Sequence, residues 1–271
     1  MVRPVRGHRP GDPTTVQAMN DSAESIAFPS PIGEYLAQLL RKHGPARDGA
    51  VATYIPELAK ADPEWFGICI ATADGHVYEA GDSRQAFTIQ SISKALVYGL
   101  ALDDCGRKRV LEAVGVEPSG EAFNSISLAP GTGAPLNPMI NAGAITAASL
   151  VAGHSPADRF ARIQTVMSMY AGRRLELDEA VYRSERDTGH RNRAIGHMLR
   201  NFDVLKEDPE IALDLYFRQC SVRVTCRDLA IMGATLANGG VNPLTKKQVM
   251  PAKHVPELLA VMATVGFYDE S

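Results

Sequence analysis

The chain has 271 residues, of which 45% are hydrophobic and 22% charged, and its formal net charge is −3. This is the balance of an ordinary globular protein with room for a sizeable core, and it lacks the basic excess of a nucleic-acid binder. No apolar run approaches the roughly 20 residues of a membrane-spanning helix. The cysteines, Cys69, Cys105, Cys220 and Cys226, form no CxxC or CxH pair, which argues for free thiols in reducing surroundings and against a zinc site.

Residues 1–30 read as a disordered tail. "MVRPVRGHRPGDPTTVQAMNDSAES" is rich in Pro, Arg, Asp and Ser and has no apolar core of the kind a secretory signal requires. Met19 offers an alternative start, and the cytoplasm is the expected location. The ordered part is expected from Pro31, where "PIGEYLAQLLRKHGP" has apolar residues at helical spacing and then a Gly-Pro stop. "WFGICIATADGHVYEAG" reads as two short strands around Asp74-Gly75.

From residue 90 onward the chain is predominantly helical in pattern. "SISKALVYGLAL", "RKRVLEAVG", "NAGAITAASLVAG", "SPADRFARIQTVMSMYAG", "NRAIGHMLRNF", "PEIALDLYFRQCS", "TCRDLAIMGATLANGG" and "PAKHVPELLAVMATVG" step by three and four. Ser155 and Thr225 stand at cap positions, and Asn238-Gly239-Gly240 is a stop. One hairpin beside many helices leaves too few strands, because a lone two-stranded sheet is marginal in water.

In "FTIQSISKALVYGL", Ser91 stands three residues ahead of Lys94. Such a pair arises about once by chance in a chain of this length and composition, so its context decides. The two side chains lie a helical turn apart on one face, and the apolar "ALVYGLAL" that follows implies a buried helix. Burial lowers a lysine's pKa, and a neutral amine near a serine hydroxyl can take its proton. Ser91 is therefore a candidate nucleophile with Lys94 as its base, and a Ser-x-x-Lys helix after an antiparallel hairpin is the arrangement of serine β-lactamases and penicillin-binding proteins.

Seven segments in order, "YIPELAK", "FTIQSISK", "NPMINAGAI", "SERDTGHRN", "LYFRQCS", "VTCRDLAIMGATLANGG" and "GFYDES", resemble the glutaminase family, which hydrolyses L-glutamine to L-glutamate and ammonia. The resemblance implies an α+β, β-lactamase-like fold over residues 31–271, with an antiparallel sheet and a large helical subdomain. It implies catalytic roles for Ser91, Lys94, Tyr216 and Tyr268. It also implies substrate contacts from Tyr54, Gln90, Asn141, Glu185, Asn192 and Tyr216, with no metal, no cofactor and a homo-oligomeric assembly. Glu185 suits an ammonium, and Asn141, Asn192 and Tyr54 are neutral donors for a carboxylate.

Each position has a plainer reading in the residues themselves. Asn141 either serves the site or caps the helix "AGAITAASLV". Glu185 lies in "RSERD", which reads as a solvated charged face. Asn192 reads as a turn residue, Tyr54 as an anchor packing a loop on the core, and Tyr216 as part of an apolar stripe. Cys220 and Cys226 read as small buried residues. Family members continue past "GFYDES" with further strands, a Lys-Ser-Gly-type triplet and a backbone N–H for the oxyanion, so the domain is expected to be truncated and its sheet incomplete. An inactive binding or oligomerisation module, and a β-lactamase-like hydrolase with another acyl substrate, stand as alternatives.

Overall fold

The computed structural model describes residues 30–120 and 128–267; the predicted tail up to residue 29 and Tyr268 lie outside them. Helix α1 spans Pro31–His43 with its proline in the first turn, where a fixed φ and a missing N–H do no harm. It packs on a hairpin of β1 (Gly67–Ala71) and β2 (Val77–Gly81), antiparallel with Cys69 opposite Glu79. The Asp74-Gly75 signal marks this hairpin correctly, but the connection is residues 72–76 and not a two-residue turn. The Thr72 hydroxyl accepts the His76 N–H at 3.1 Å and donates to Asp74, and these local bonds favour the wider loop.

The hairpin is stabilised by helices on both its strands. Alongside α1 on β2, helix α8 (Cys226–Ala237) packs against β1. Thr225 caps α8 reciprocally with Asp228, a motif that satisfies two otherwise orphaned donors. Asp228, 2% exposed, also accepts from Arg173 at 2.8 and 2.5 Å. A second, two-residue pairing joins β3 (Phe87–Thr88) to β4 (Arg223–Val224). The Ile89 N–H then donates to the Val222 carbonyl at 2.9 Å, which anchors the chain just before Ser91.

Helix α2, Ser93–Ala113, is interrupted at Gly106 (φ +75°), between the two helical runs predicted from the sequence. Every residue from Ser93 to Leu102 is buried, as expected of a helix apolar all round. One apolar cluster surrounds it and includes Ile163 and Met167 of α4 (Pro156–Ala171), Leu236 of α8, and Leu258 of α9 (Val255–Val265). Ser155 caps α4 as expected, accepting the Asp158 N–H at 3.1 Å. A second cluster joins α3 (Asn141–Ser149), α5 (Glu179–Thr188), α6 (His190–Asn201) and α7 (Pro209–Cys220) through Ile145, Tyr182, Ile195, Leu213 and Phe217.

Helix α5 was not expected from the pattern. Only Val181, Tyr182 and Glu185 of it are buried, a stripe too narrow to stand out in a charged run, and Asp178 starts it by accepting the Ala180 and Val181 N–H groups. Cys220 is buried and Cys226 only half-buried; both, with Cys69 and Cys105, are free thiols.

The start of α3 depends on close backbone approach. Asn137 accepts from the Met139 and Ile140 N–H groups at 3.0 and 3.2 Å, folding residues 137–140 back over the helix. A Cβ on Gly143 would lie 1.9 Å from the Asn137 carbonyl oxygen and 2.8 Å from Pro138 Cα. Neither is the end of a flexible side chain, so the backbone itself must move. Gly143→Ala is therefore expected to destabilise the fold by about 3 kcal/mol, read as a drop in Tm; a variant with parental Tm would show that residues 137–140 yield freely.

Candidate active site

Four helices, the 3-10 turn at Gln90–Ile92 and the loop at Tyr54-Ile55 converge on a cavity of about 330 Å³. Ser91 sits in a single 3-10 turn, Gln90–Ile92, immediately before α2, and not in the first turn of α2 itself. Gln90 holds φ at +49°, a left-handed conformation costly for a residue with a Cβ. Its side-chain amide donates to the Thr88 hydroxyl at 3.0 Å. Both Gln90 and Ser91 line the cavity.

Lys94, one turn later, is 1% exposed. Its Nζ donates to the Met139 carbonyl and to Asn141 Oδ1, each at 2.8 Å. Both acceptors are supplied by the turn that packs on Gly143. Burial pulls the Lys94 ammonium down from 10.5 to about 8, against opposing contributions from Cys220 and Glu185.

Asn141 is the hub of the site. It does not cap α3, and Ile140 occupies the cap position without a side-chain bond. Its Oδ1 accepts from Lys94 and from the Tyr216 hydroxyl at 3.2 Å, while its Nδ2 donates to Asn192 Oδ1 at 2.9 Å. An ammonium can only donate, so the amide orientation is fixed by chemistry. Asn192 lies in α6, not in a turn. Tyr216 is both things at once: 3% exposed in the second apolar cluster, with its hydroxyl on Asn141.

Glu185 overturns its solvated reading most completely. It is 6% exposed, and among the described residues its Oε2 has no hydrogen-bond partner. Burial raises its carboxyl from 4.5 to about 8, with Lys94 pulling the other way. A brace outside the cavity holds it there. Tyr182, one turn back on α5, donates to Asp214 of α7, and Arg218 donates to the same carboxylate at 2.7 Å. The Arg218 guanidinium lies 4.4 Å over the Tyr182 ring, a favourable placement for a cation.

Tyr54 also lines the cavity, but it is 66% exposed and stands at the rim, so it is not a core anchor. The structure thus gathers Tyr54, Gln90, Ser91, Asn141, Glu185, Asn192 and Tyr216 on one cavity, with Lys94 bonded behind it. Arg191 and Thr188 line it too and were not anticipated. Arg191 neighbours Asn192 in sequence, which is the one local signal that could have found it.

A family model described as Glutaminase matches residues 49–271. The chain is 51% identical to a glutaminase of Trichormus variabilis, over 89% of this chain and 72% of that protein. It is 52% identical to glutaminase 1 of Bradyrhizobium diazoefficiens, over 88% of this chain and 39% of that one. Among solved structures, a probable glutaminase, YbaS, superposes with a TM-score of 0.85 at 40% identity, covering 88% of this chain and 78% of its own. Mglu in its native form matches with a TM-score of 0.85 at 44% identity, over 89% and 59%. The small antiparallel sheet beside a large helical part is the β-lactamase-like architecture that the sequence led us to expect. By sequence and by fold alike, the chain belongs to the glutaminase family.

Proposed function

We propose that this chain hydrolyses L-glutamine to L-glutamate and ammonia through an acyl-enzyme on Ser91. The observation that carries this reading is the meeting of Ser91 with the buried Glu185 carboxylate in one cavity, its Oε2 without a hydrogen-bond partner among the described residues. A free amino acid brings an ammonium, and Glu185 offers it an acceptor that has no other bond. Mglu has also been crystallised in a glutamate form, which supports an amino-acid ligand.

Lys94 in its neutral form keeps its two N–H bonds on Met139 and Asn141, and this fixes the direction of its lone pair. It takes the Ser91 proton as Oγ attacks the side-chain carbonyl of glutamine. Collapse of the tetrahedral adduct breaks the C–N bond, and that proton leaves with ammonia. Water then attacks the ester, Lys94 again takes a proton and returns it to Ser91 Oγ, and glutamate departs. Asn141 keeps one Nδ2 proton, beyond that given to Asn192, for the substrate, and Asn192 and Tyr54 add donors for the α-carboxylate. Tyr268, to which the resemblance assigns a catalytic role, lies outside the described residues.

Among the described residues no helix is long and apolar enough to cross a membrane. We take the enzyme to work in the cytoplasm as a homo-oligomer, and light scattering at micromolar concentration reads its mass directly. A penicillin-type substrate fits less well, because it brings a carboxylate and no ammonium to a site built on Glu185.

Ser91→Ala is expected to lower glutamate and ammonia release by about 10³-fold or more with an unchanged circular dichroism spectrum. Equal turnover by parent and variant removes the acyl-enzyme; a folded parent without turnover, or one acylated by labelled penicillin, favours the other readings.

The pH profile follows from the two buried groups. The productive free enzyme has Lys94 neutral and Glu185 ionised, and both titrate near 8. They face each other, with Cys220 and Tyr216 of α7 beside them. We expect kcat/KM to climb from pH 6 to 9 with its inflection near 8; a flat profile over that range would remove Lys94 as the base.

Stability carries its own signature. Because the folded pKa of Glu185 exceeds its unfolded value, its ionisation weakens the fold progressively from pH 4.5 to 8. Glu185→Gln is expected to raise Tm relative to the parent by an amount that grows over that window and then levels off, while kcat/KM falls. A Tm difference independent of pH would contradict a desolvated carboxylate.

A further inference from the structure

Two fully buried polar residues outside the cavity bear on the Ser91 turn. Ser93 and Gln219 are each 0% exposed. The Ser93 hydroxyl donates to the Gln90 carbonyl at 2.6 Å, and Gln219 Nε2 donates to Ser93 Oγ at 3.2 Å. The order of this relay is set by chemistry. A carbonyl only accepts, so the single hydroxyl proton of Ser93 goes to Gln90, and its oxygen is left to accept from an amide N–H.

The relay ends on a strained residue. Gln90 is at φ +49°, and such a conformation persists only where its surroundings over-determine it. Its carbonyl shares a peptide plane with the Ser91 N–H, and in a trans peptide the two point in opposite directions. Fixing the carbonyl on buried Ser93 therefore fixes the Ser91 N–H away from the interior and sets the direction of the Ser91 side chain.

Packing alone does not account for Gln219. Its Oε1 is buried without a partner among the described residues, and an apolar residue of similar shape would avoid that penalty. Among the described residues only the N–H of this amide has a partner.

From these contacts we infer that Ser93 and Gln219 are positioning residues of the reaction: through the Gln90 carbonyl they aim the Ser91 hydroxyl and amide at the scissile carbonyl, without touching substrate. The inference rests on the proposed role of Ser91. Because the Gln90 side chain is held separately by Thr88 and the Ser93 N–H still donates to the Gln90 carbonyl, loss of the relay loosens the aim of the nucleophile and leaves the amino-acid pocket intact.

The test compares Ser93→Ala, Gln219→Leu and the double variant of the 271-residue chain in glutamine turnover, with glutamate binding by calorimetry. Each variant is expected to lose about 10- to 100-fold in kcat, the scale of a displaced reacting atom, with KM and the glutamate Kd within about twofold of the parent. The double variant removes both members of the buried pair, so it should regain Tm lost by either single change while kcat stays low. Should a single variant fail to fold, the double variant decides.

Recovery of kcat together with Tm in the double variant overturns the inference, and so does a parallel change in kcat, KM and Kd. Ser91→Ala separates the two levels. If it turns over like the parent, the acyl-enzyme reading fails. If it is inactive while the relay variants keep parental kcat, only the positioning role fails.

Discussion

The site depends on taking one ammonium out of water. Lys94 lies in the stretch of α2 from Ser93 to Leu102 that is buried on every side, where an unpaired charge would cost far more than the fold could bear. Two acceptors make its burial tolerable without returning its pKa to normal. Both come from one short stretch, the Met139 carbonyl and the Asn141 amide. That stretch holds its shape because Asn137 bonds back to it and Gly143 leaves room beneath it. The packing of α3 therefore bears on the proposed acid–base chemistry: moving residues 137–141 alters the acceptors around the Lys94 ammonium.

Glu185 is the complementary case. Desolvation drives the lysine down and the carboxyl up, and each moderates the other through their mutual attraction. Neither reaches the full stabilisation of a hydrogen-bonded ion pair, because Glu185 Oε2 has no partner among the described residues. A protein under selection for stability alone would not keep such an atom, since apolar replacement of buried ionic groups is often stabilising. In the proposed reading a substrate ammonium donates to that oxygen, so forming the bond it lacks contributes to binding. The brace of Tyr182, Asp214 and Arg218 keeps α5 from rotating that carboxylate out to water.

Local physics made some of this legible in the sequence. The caps at Ser155 and Thr225, the stop before residue 240 and the two runs flanking Gly106 each depend on a few adjacent residues, and each was visible. The burial of Lys94 followed from its apolar neighbours. What stayed hidden was non-local. "RSERD" looks solvated because three of its five residues are exposed and Ser184 is half-buried, and which one turns inward is decided by α7. Asn141 could not be told from a cap, because both uses want an asparagine at a helix start. The two-residue ladder of β3 and β4 joins segments far apart in the chain and has no periodicity to detect. The resemblance to a family supplied those positions; spacing did not.

Helix α7 carries the longest-range consequence. Tyr216, Gln219 and Cys220 stand at i, i+3 and i+4, so they share one face. From that face Tyr216 reaches the acceptor of Lys94, Gln219 reaches the turn of Ser91, and Cys220 lies 4.0 Å from the Ser93 hydroxyl. The proposed nucleophile and base, three residues apart at one helix start, are thus both tied to the same face of α7. The same sharing means that changes at Tyr216 and Gln219 act on one network, where effects on rate do not add.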